Sequence, residues 1–276
     1  MVLKAYAKIN LGLRVGARRP DGYHELETFF QRIDLADEIE LTPAESVTYD
    51  GPKLTETDEA NLVIRAARRF IATFSGSGAH IKLRKRIPVG AGLGGGSSDA
   101  AAVLRGMART NGVEPKDTRL FEIALGLGSD VPFFLLDRPA AIGRSRGEVL
   151  KSAESLPEKT RVVILWPGFP ISTTWAYRSL DERLTLGTEG TNISVRNFSE
   201  GTTERDHLRN DFEAVVFAAH PELLEARDQL LTLGARNAGL SGSGSALYAV
   251  FDDEARAGPA VLGWPAPWLA FLCRPC

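Results

Sequence analysis

Five glycines fall within the eleven residues Pro88-Val89-Gly90-Ala91-Gly92-Leu93-Gly94-Gly95-Gly96-Ser97-Ser98, and this run constrains the chain more than any other feature. Glycine admits backbone conformations closed to other residues, so successive N–H groups can turn toward one concavity and make an anion nest. The flanks sharpen the reading. Upstream, His80–Ile87 alternates Ile81, Leu83 and Ile87 with Lys82, Arg84 and Arg86, the pattern of a half-exposed strand. Downstream, Ser98–Arg109 is rich in alanine, closes at Asn111-Gly112 and predicts a helix. A helix start adds unpaired N–H groups and the positive end of its dipole. Strand, nest and helix start together make a phosphate cradle, whereas a plain linker is seldom wedged between two such elements.

The kind of phosphate ligand is a separate matter. Gly90, Gly92 and Gly95 spell G-x-G-x-x-G, the dinucleotide fingerprint, but the preceding strand of that motif is buried on both faces and nearly all apolar. Here it carries Lys82, Arg84, Lys85 and Arg86, and the acidic residue at about the right distance, Glu114, sits in the turn Asn111–Pro115. No Lys-Ser/Thr pair follows the last glycine, so the segment is not a Walker loop either.

Along the rest of the chain, Leu3–Val15 predicts a strand interrupted by Lys8 and Asn10, and Pro20-Asp21-Gly22 a turn. Glu25–Leu41 alternates loosely, with Phe29, Ile33, Ile39 and Leu41 inward, as antiparallel strands do. Asn61–Phe74 has helical apolar spacing opposite Arg65, Arg68 and Arg69. Asp117 caps a helix to Leu127, a turn covers Asp137–Gly147, and composition shifts around Leu150–Thr160. Arg161–Trp166 and Ala246–Phe251 read as strands, Asn210–Ala219 and Pro221–Leu233 as helices, and Thr185–Arg205 as a long loop. Strands and helices mix without regular βαβ alternation, which predicts an α+β class in two domains, 1–153 and 154–276.

Composition excludes several roles. With 43% hydrophobic residues in 276, the chain has enough for real cores. A formal net charge of −2 lacks the basic excess of a nucleic-acid binder. No stretch has the ~20 apolar residues of a membrane span, and Met1–Asn10 lacks the apolar core of a signal peptide. The only cysteines are Cys273 and Cys276. Their C-x-x-C spacing has no further ligands to complete a zinc site, so they read as a tail without a chemical role, in a reducing cytoplasm.

The segment Pro88–Ser98 with Asp99-Ala100-Ala101 resembles the loop of the GHMP kinases. Three other segments carry the resemblance in the same order: Ala7-Lys8-Ile9-Asn10-Leu11, Asp21-Gly22-Tyr23-His24 and Gly128-Ser129-Asp130-Val131-Pro132-Phe133-Phe134. The resemblance implies the two-domain GHMP kinase fold, with an N-terminal domain like domain 2 of ribosomal protein S5 and a ferredoxin-like C-terminal domain. ATP and Mg2+ are implied as cofactors. The small-molecule acceptor implied is a cytidine-diphosphate methylerythritol, phosphorylated on its 2-hydroxyl, with no nucleic-acid or membrane partner.

Residue by residue, the resemblance makes Lys8 and Asp130 the catalytic pair, and Pro88, Val89, Gly90, Ala91, Gly92, Leu93, Gly94, Gly95, Gly96, Ser97 and Ser98 the nucleotide loop. Asn61 and Lys85 match adenine-pocket contacts, Asn10 a substrate-positioning residue, and Tyr23 and His24 a cytidine site. Phe30, Thr173 and Tyr177 match further walls of that site, Tyr177 standing where the family has phenylalanine. Each has an ordinary reading beside it: Asp130 in a helix-end turn, Asn61 starting its helix, Lys85 in a solvated basic run, Phe30 in a core. Magnesium has no carboxylate ligand among these motifs, and Ser97 or Ser98 is the hydroxyl candidate. Ser241-Gly242-Ser243-Gly244-Ser245 resembles a second glycine motif of the family, and a tight turn is its alternative. Homoserine or mevalonate kinases of the same family are the competing assignment; their substrates have no base for Tyr23 to stack on.

Overall fold

The computed structural model describes residues 1–186 and 209–276. The loop expected over Thr185–Arg205 therefore falls outside the described residues, apart from the two that end a helix. Two compact units are present. The first comprises Met1–Ala7, Leu35–Val89 and Gly94–Arg138; the second comprises Lys8–Asp34, Gly90–Leu93 and Pro139–Cys276. Two long paired strands, β1 (Val2–Arg18) and β2 (His24–Ala44), contribute to both. The separate strands expected over Glu25–Leu41 are thus one strand, and its buried aromatic is Phe30, at 1% exposure, while Phe29 is half-exposed.

In the first unit, Glu38–Ala44 of β2 pairs antiparallel with β4 (Gly78–Arg84), and β3 (Thr48–Asp50) runs parallel to β4. Four helices complete it: α1 (Leu62–Phe74), α2 (Gly95–Thr110), α3 (Thr118–Leu127) and α4 (Val131–Leu135). Asn61 caps α1 by accepting the Val63 N–H at 3.0 Å, and Asp117 caps α3. The alanines of α2 permit close packing: Ala100, Ala101 and Ala102 are wholly buried, and a Cβ on Gly106 would come within 2.3 Å of Leu41 Cδ1. α2 starts at Gly95, three residues before the predicted start. Two glycines disfavour a helix by propensity, and the burial of the helix overrides them.

In the second unit, Leu26–Gln31 of β2 pairs with β5 (Ala140–Ser145), which turns back into β6 (Val149–Ser152). The expected turn over Asp137–Gly147 is therefore mostly strand. An antiparallel sheet follows in the order β10 (Leu269–Cys273), β7 (Arg161–Trp166), β9 (Leu247–Phe251), β8 (Asn237–Leu240). Helices α5 (Thr173–Leu186), α6 (Glu213–Ala219), α7 (Pro221–Thr232) and α8 (Glu254–Ala257) belong to the same unit. Its core gathers Val163, Leu165, Phe212, Leu223, Leu230, Leu247 and Phe251. In the C-terminal segment Cys273 is buried in β10 opposite Val162, and neither it nor Cys276 is in a disulfide. No helix among the described residues is long and apolar enough to cross a membrane.

One buried ionic cluster ties β2, β4 and α2 together inside the first unit. The Lys85 ammonium donates to Asp37 Oδ2 and, at 2.9 Å, to Asp99 Oδ2, and both carboxylates are fully buried. Asp37 Oδ1 also accepts the backbone N–H groups of Arg86, at 2.5 Å, and Ile87, at 2.9 Å. Asp99 Oδ1 has no partner. Burial therefore pushes the Asp99 carboxyl up to about 7, Lys85 pulling it down and Asp37 adding to the rise. The folded chain then holds a proton there that the unfolded chain releases near 3.8. Stability from this group is complete below that value and is lost as pH rises to about 7. Urea unfolding across this window should show a wild-type stability that falls with pH more steeply than that of Asp99→Asn. Parallel profiles in the two proteins would show that Asp99 titrates like an exposed acid.

Candidate active site

Three loop glycines take positive φ, Gly90 at 67°, Gly92 at 77° and Gly94 at 70°, while the residues between them, Ala91 and Leu93, are buried. This alternation anchors the loop through its apolar side chains and bends it at its glycines. Within the second unit every carbonyl of Gly90–Leu93 is occupied. Gly90 O accepts from Ile171 N–H (3.4 Å), Ala91 O from Ala246 N–H (3.0 Å), Gly92 O from the Ser241 hydroxyl (3.0 Å) and Leu93 O from Lys8 N–H (3.0 Å). Turning the acceptors inward is what an anion-binding loop requires. At Gly92 nothing larger fits, since a Cβ would lie 2.1 Å from Ser241 O.

The same unit gathers Lys8 and Asn10. They sit two apart on β1 and so share a face. The Lys8 ammonium, 4% exposed, donates to Asn10 Oδ1 and lies 5.6 Å from the Phe30 ring centroid. Asn10 Nδ2 donates to Thr28 Oγ1 at 2.8 Å, and Thr28 donates to Gly12 O at 2.8 Å. Ser241 Oγ accepts Asn10 N–H at 3.4 Å, and a Cβ on Gly242 would be 3.2 Å from Asn10 Oδ1 and 3.5 Å from the Lys8 ammonium. Ser241–Ser245 is held from behind by Asn210, whose amide donates to Leu240 O (2.8 Å) and Gly242 O (2.7 Å). Lys8, Asn10, Gly92 and Gly242 thus form one cluster, a buried cation beside two glycine turns.

Also in the second unit, a cavity of about 440 Å3 is lined by Tyr23, His24, Thr173 and Tyr177. His24 is buried, its Nε2 2.8 Å from Asp181 Oδ1, and its ring stacks on Tyr177 at 5.2 Å with planes 12° apart. Phe212 supports Tyr177 edge-on at 4.9 Å. Tyr23 is 54% exposed, a large ring held open at the surface. The Thr173 hydroxyl is 2.9 Å from that of Ser243, which joins the start of α5 to the second glycine segment. Phe30 does not line this cavity; it packs beneath Lys8 and against Gly143, where a Cβ would come within 2.6 Å of its ring.

In the first unit, Pro88 and Val89 lead into the loop and Gly94 caps α2 without a side chain. Gly95, Gly96 and Ser97 make the first turn of α2, and the first ladder bond runs from Ser98 N–H to Gly94 O at 2.9 Å. A Cβ on Gly95 would be 3.1 Å from the Lys85 ammonium, so the cation sits at the positive end of this helix, held there by its two carboxylates. Asn61 is buried and spends its carbonyl on the α1 cap. Asp130 is half-buried at the N-terminus of α4, makes no cap hydrogen bond and has φ −83° and ψ −17°. A Cβ on Gly128, two residues earlier, would be 4.0 Å from Ser97 Oγ.

Several lining residues escaped the sequence reading. Arg18, Thr174, Arg178 and Asp181 face the cavity with Tyr23 and Tyr177. Thr173, Tyr177 and Asp181 are four apart, one stripe of a helix, and a helix placed over this segment would have found Asp181. In the first unit, Tyr49 was missed. Burial pushes its phenol up, with the Asp99 carboxylate adding to the rise and the Asn61 side chain and Lys85 opposing it. Tyr49 therefore lies near Asn61 and Lys85.

Comparison with known proteins accords with these features. The family model described as the GHMP kinases N terminal domain matches residues 61–138, and that of the GHMP kinases C terminal matches 193–268. A 4-diphosphocytidyl-2-C-methyl-D-erythritol kinase of Solibacter usitatus (strain Ellin6076) is 47% identical over 91% of this chain and 81% of its own. Another, of Geobacter sp. (strain M21), is 42% identical over 99% of this chain and 98% of its own. The crystal structure of a 4-(cytidine 5'-diphospho)-2C-methyl-D-erythritol kinase superposes with a TM-score of 0.80 at 37% identity, covering 99% and 98% of the two chains. A homoserine kinase from Cytophaga hutchinsonii, at 17% identity and a TM-score of 0.65, shares the fold. The α+β architecture, the glycine loop and these similarities place the chain in the GHMP kinases, and within them in the 4-diphosphocytidyl-2-C-methyl-D-erythritol kinase family.

Proposed function

We propose that this kinase transfers the γ-phosphoryl group of ATP to the 2-hydroxyl of 4-diphosphocytidyl-2-C-methyl-D-erythritol, in the cytoplasm, as a step of the non-mevalonate route to isoprenoid precursors. The observation that carries this reading is the aromatic cavity formed by Tyr23, His24 and Tyr177. Its size suits a base, and flat rings with a polar edge beside them are how proteins hold and distinguish bases. Homoserine and mevalonate have nothing to place there.

Phosphoryl transfer leaves a protein mainly positioning and charge stabilisation to supply. Asp130 accepts the proton of the attacking hydroxyl. Lys8, buried and bonded to Asn10, stabilises the charge that develops on the acceptor oxygen and the transferring group. Asn10 positions the acceptor. The N–H groups of Gly90–Ser98 and the start of α2 hold the phosphates, and Asn61, Tyr49 and Lys85 surround the adenine. The domains implied are 1–153, with the ATP loop, and 154–276.

Among the described residues no cluster of three or more acidic, histidine or cysteine side chains is set to hold a metal. Magnesium would be carried mainly by the phosphates, with the hydroxyl of Ser97 or Ser98 in the first turns of α2 as a hard oxygen donor. When bound, it neutralises phosphate charge. The chain's own part is to hold the phosphates and to keep Lys8 and Asp130 in place.

An ATP-consumption assay with the cytidyl substrate, homoserine and mevalonate side by side should show turnover with the first alone. Turnover with either of the others at a similar rate would overturn the acceptor assignment. Asp130→Ala should lower kcat by about 100-fold or more, as loss of a general base does, while the affinity for ATP measured by calorimetry stays near wild type. Turnover at the wild-type rate would remove Asp130 from the mechanism. Tyr23→Ala should raise KM for the cytidyl substrate about 10-fold or more, the scale of a lost base–aromatic stack, and leave KM for ATP alone. Equal losses for both substrates would remove Tyr23 from the base site.

A further inference from the structure

One face of the exposed Tyr23 ring is already occupied. The Arg146 guanidinium lies over it, 4.8 Å from the centroid. Tyr23 lines the aromatic cavity, whereas Arg146 is not among the residues that line it.

Arg146 sits at the tip of the β5–β6 hairpin, a turn closed by Gly147 N–H donating to Arg144 O at 2.9 Å. Ser145 takes φ 64° there, a left-handed conformation costly for any residue with a side chain, and such strain persists only where the surroundings impose it. They do so through a closed circuit. Glu148 Oε2 accepts the Arg146 N–H at 2.7 Å, and Oε1 accepts the Ser145 hydroxyl at 3.1 Å and Arg146 Nε at 3.5 Å. Against the upward push of burial, backbone N–H groups, the Ser145 hydroxyl and Arg146 hold the Glu148 carboxyl below its ordinary value. Ser145 Oγ in turn accepts Arg19 Nη1 at 2.8 Å, and Arg19 Nε bonds Asp21 at 3.2 Å. Asp21 Oδ1 accepts the Tyr23 N–H at 3.2 Å, and Arg19 N–H donates to Tyr23 O at 2.6 Å. The circuit runs from the backbone of Tyr23 through two loops and returns to its ring.

We propose that Arg146 is a positioning residue for substrate recognition, a cation that clamps the outer face of Tyr23 so that the inner face is presented flat to the cytosine base. An exposed tyrosine otherwise samples several rotamers, and ordering it on binding weakens the complex. The guanidinium also draws electron density from the ring, which favours stacking of an electron-rich base on the opposite face. This inference rests on Tyr23 being the base-stacking residue.

Steady-state kinetics of Arg146→Ala, Arg146→Lys, Tyr23→Ala and the double variant Tyr23→Ala/Arg146→Ala test it. Arg146→Ala should raise KM for the cytidyl substrate about 3- to 5-fold, the scale of a partly exposed cation–π pair, with kcat and KM for ATP unchanged and thermal unfolding near wild type. Lysine, a point charge without the planar stack, should restore part of the loss. In the Tyr23→Ala background the Arg146→Ala change should have no further effect. An equal effect of Arg146→Ala in both backgrounds would assign Arg146 to direct substrate contact or to general stability and overturn the proposal. A raised KM in Tyr23→Ala with none in Arg146→Ala sinks the clamp alone; an unchanged KM in Tyr23→Ala sinks the base-site reading and the clamp together.

Discussion

The approach of Gly92 to Ser241 is the constraint on which the second unit's part of the site depends. Backbone meets backbone so closely that any Cβ on Gly92 would sit 2.1 Å from Ser241 O, well inside van der Waals contact. The two glycine segments, 149 residues apart in sequence, are thereby fastened by the Ser241 hydroxyl on Gly92 O and the Ala246 N–H on Ala91 O. The Lys8 N–H on Leu93 O fastens β1 to the same loop. A side chain at Gly92 would push apart the turns that flank the Lys8–Asn10 pair. Positive φ alone would favour glycine here; the missing space makes it obligatory.

Two lysines, Lys8 buried and Lys85 partly buried, are held by different partners. Lys85 is surrounded by two fully buried carboxylates, one of them with an orphaned oxygen. Such a cluster orders β2, β4 and α2 at a cost in desolvation and makes stability depend on pH. Lys8 donates to the neutral amide of Asn10 and rests over the Phe30 ring. An amide oxygen and a ring face are two ways to hold an ammonium in place.

What was legible in the sequence follows from how strongly local chemistry controls each element. The α1 helix could be read because Val63, Ala66, Ala67 and Phe70 recur at helical spacing behind a capping Asn61. The glycine loop was legible because alternating glycine and apolar residues need a special backbone. The start of α2 was not, since Gly95-Gly96-Ser97 has poor helix propensity and only tertiary burial makes it helical. β5 was hidden for a similar reason: Ala140, Ala141 and Gly143 are weak strand formers, and their small size serves the close packing of Phe30. In α5 the buried apolar residues among those described are Ala176 and Leu180, and Asp181 was missed because no helix was placed over this segment. Residues matched by motif needed no such pattern, yet their partners Arg146, Asp181 and Tyr49 lie outside every motif and are found only through contacts.

Tyr177 shows how one aromatic ring of the cavity is held by its neighbours. The face of the ring stacks on His24 and its plane stands at right angles to that of Phe212. A hydroxyl at the ring's tip changes neither the plane nor its offset from the imidazole. Thr173 opens α5 and Tyr177 follows one turn later, bringing the threonine hydroxyl to Ser243 and the ring to His24 from a single helix face. The neighbouring pair Thr174 and Arg178 also reaches the cavity, but it offers no ring to stack. Flatness at position 177 and helical spacing from Thr173 are the constrained quantities.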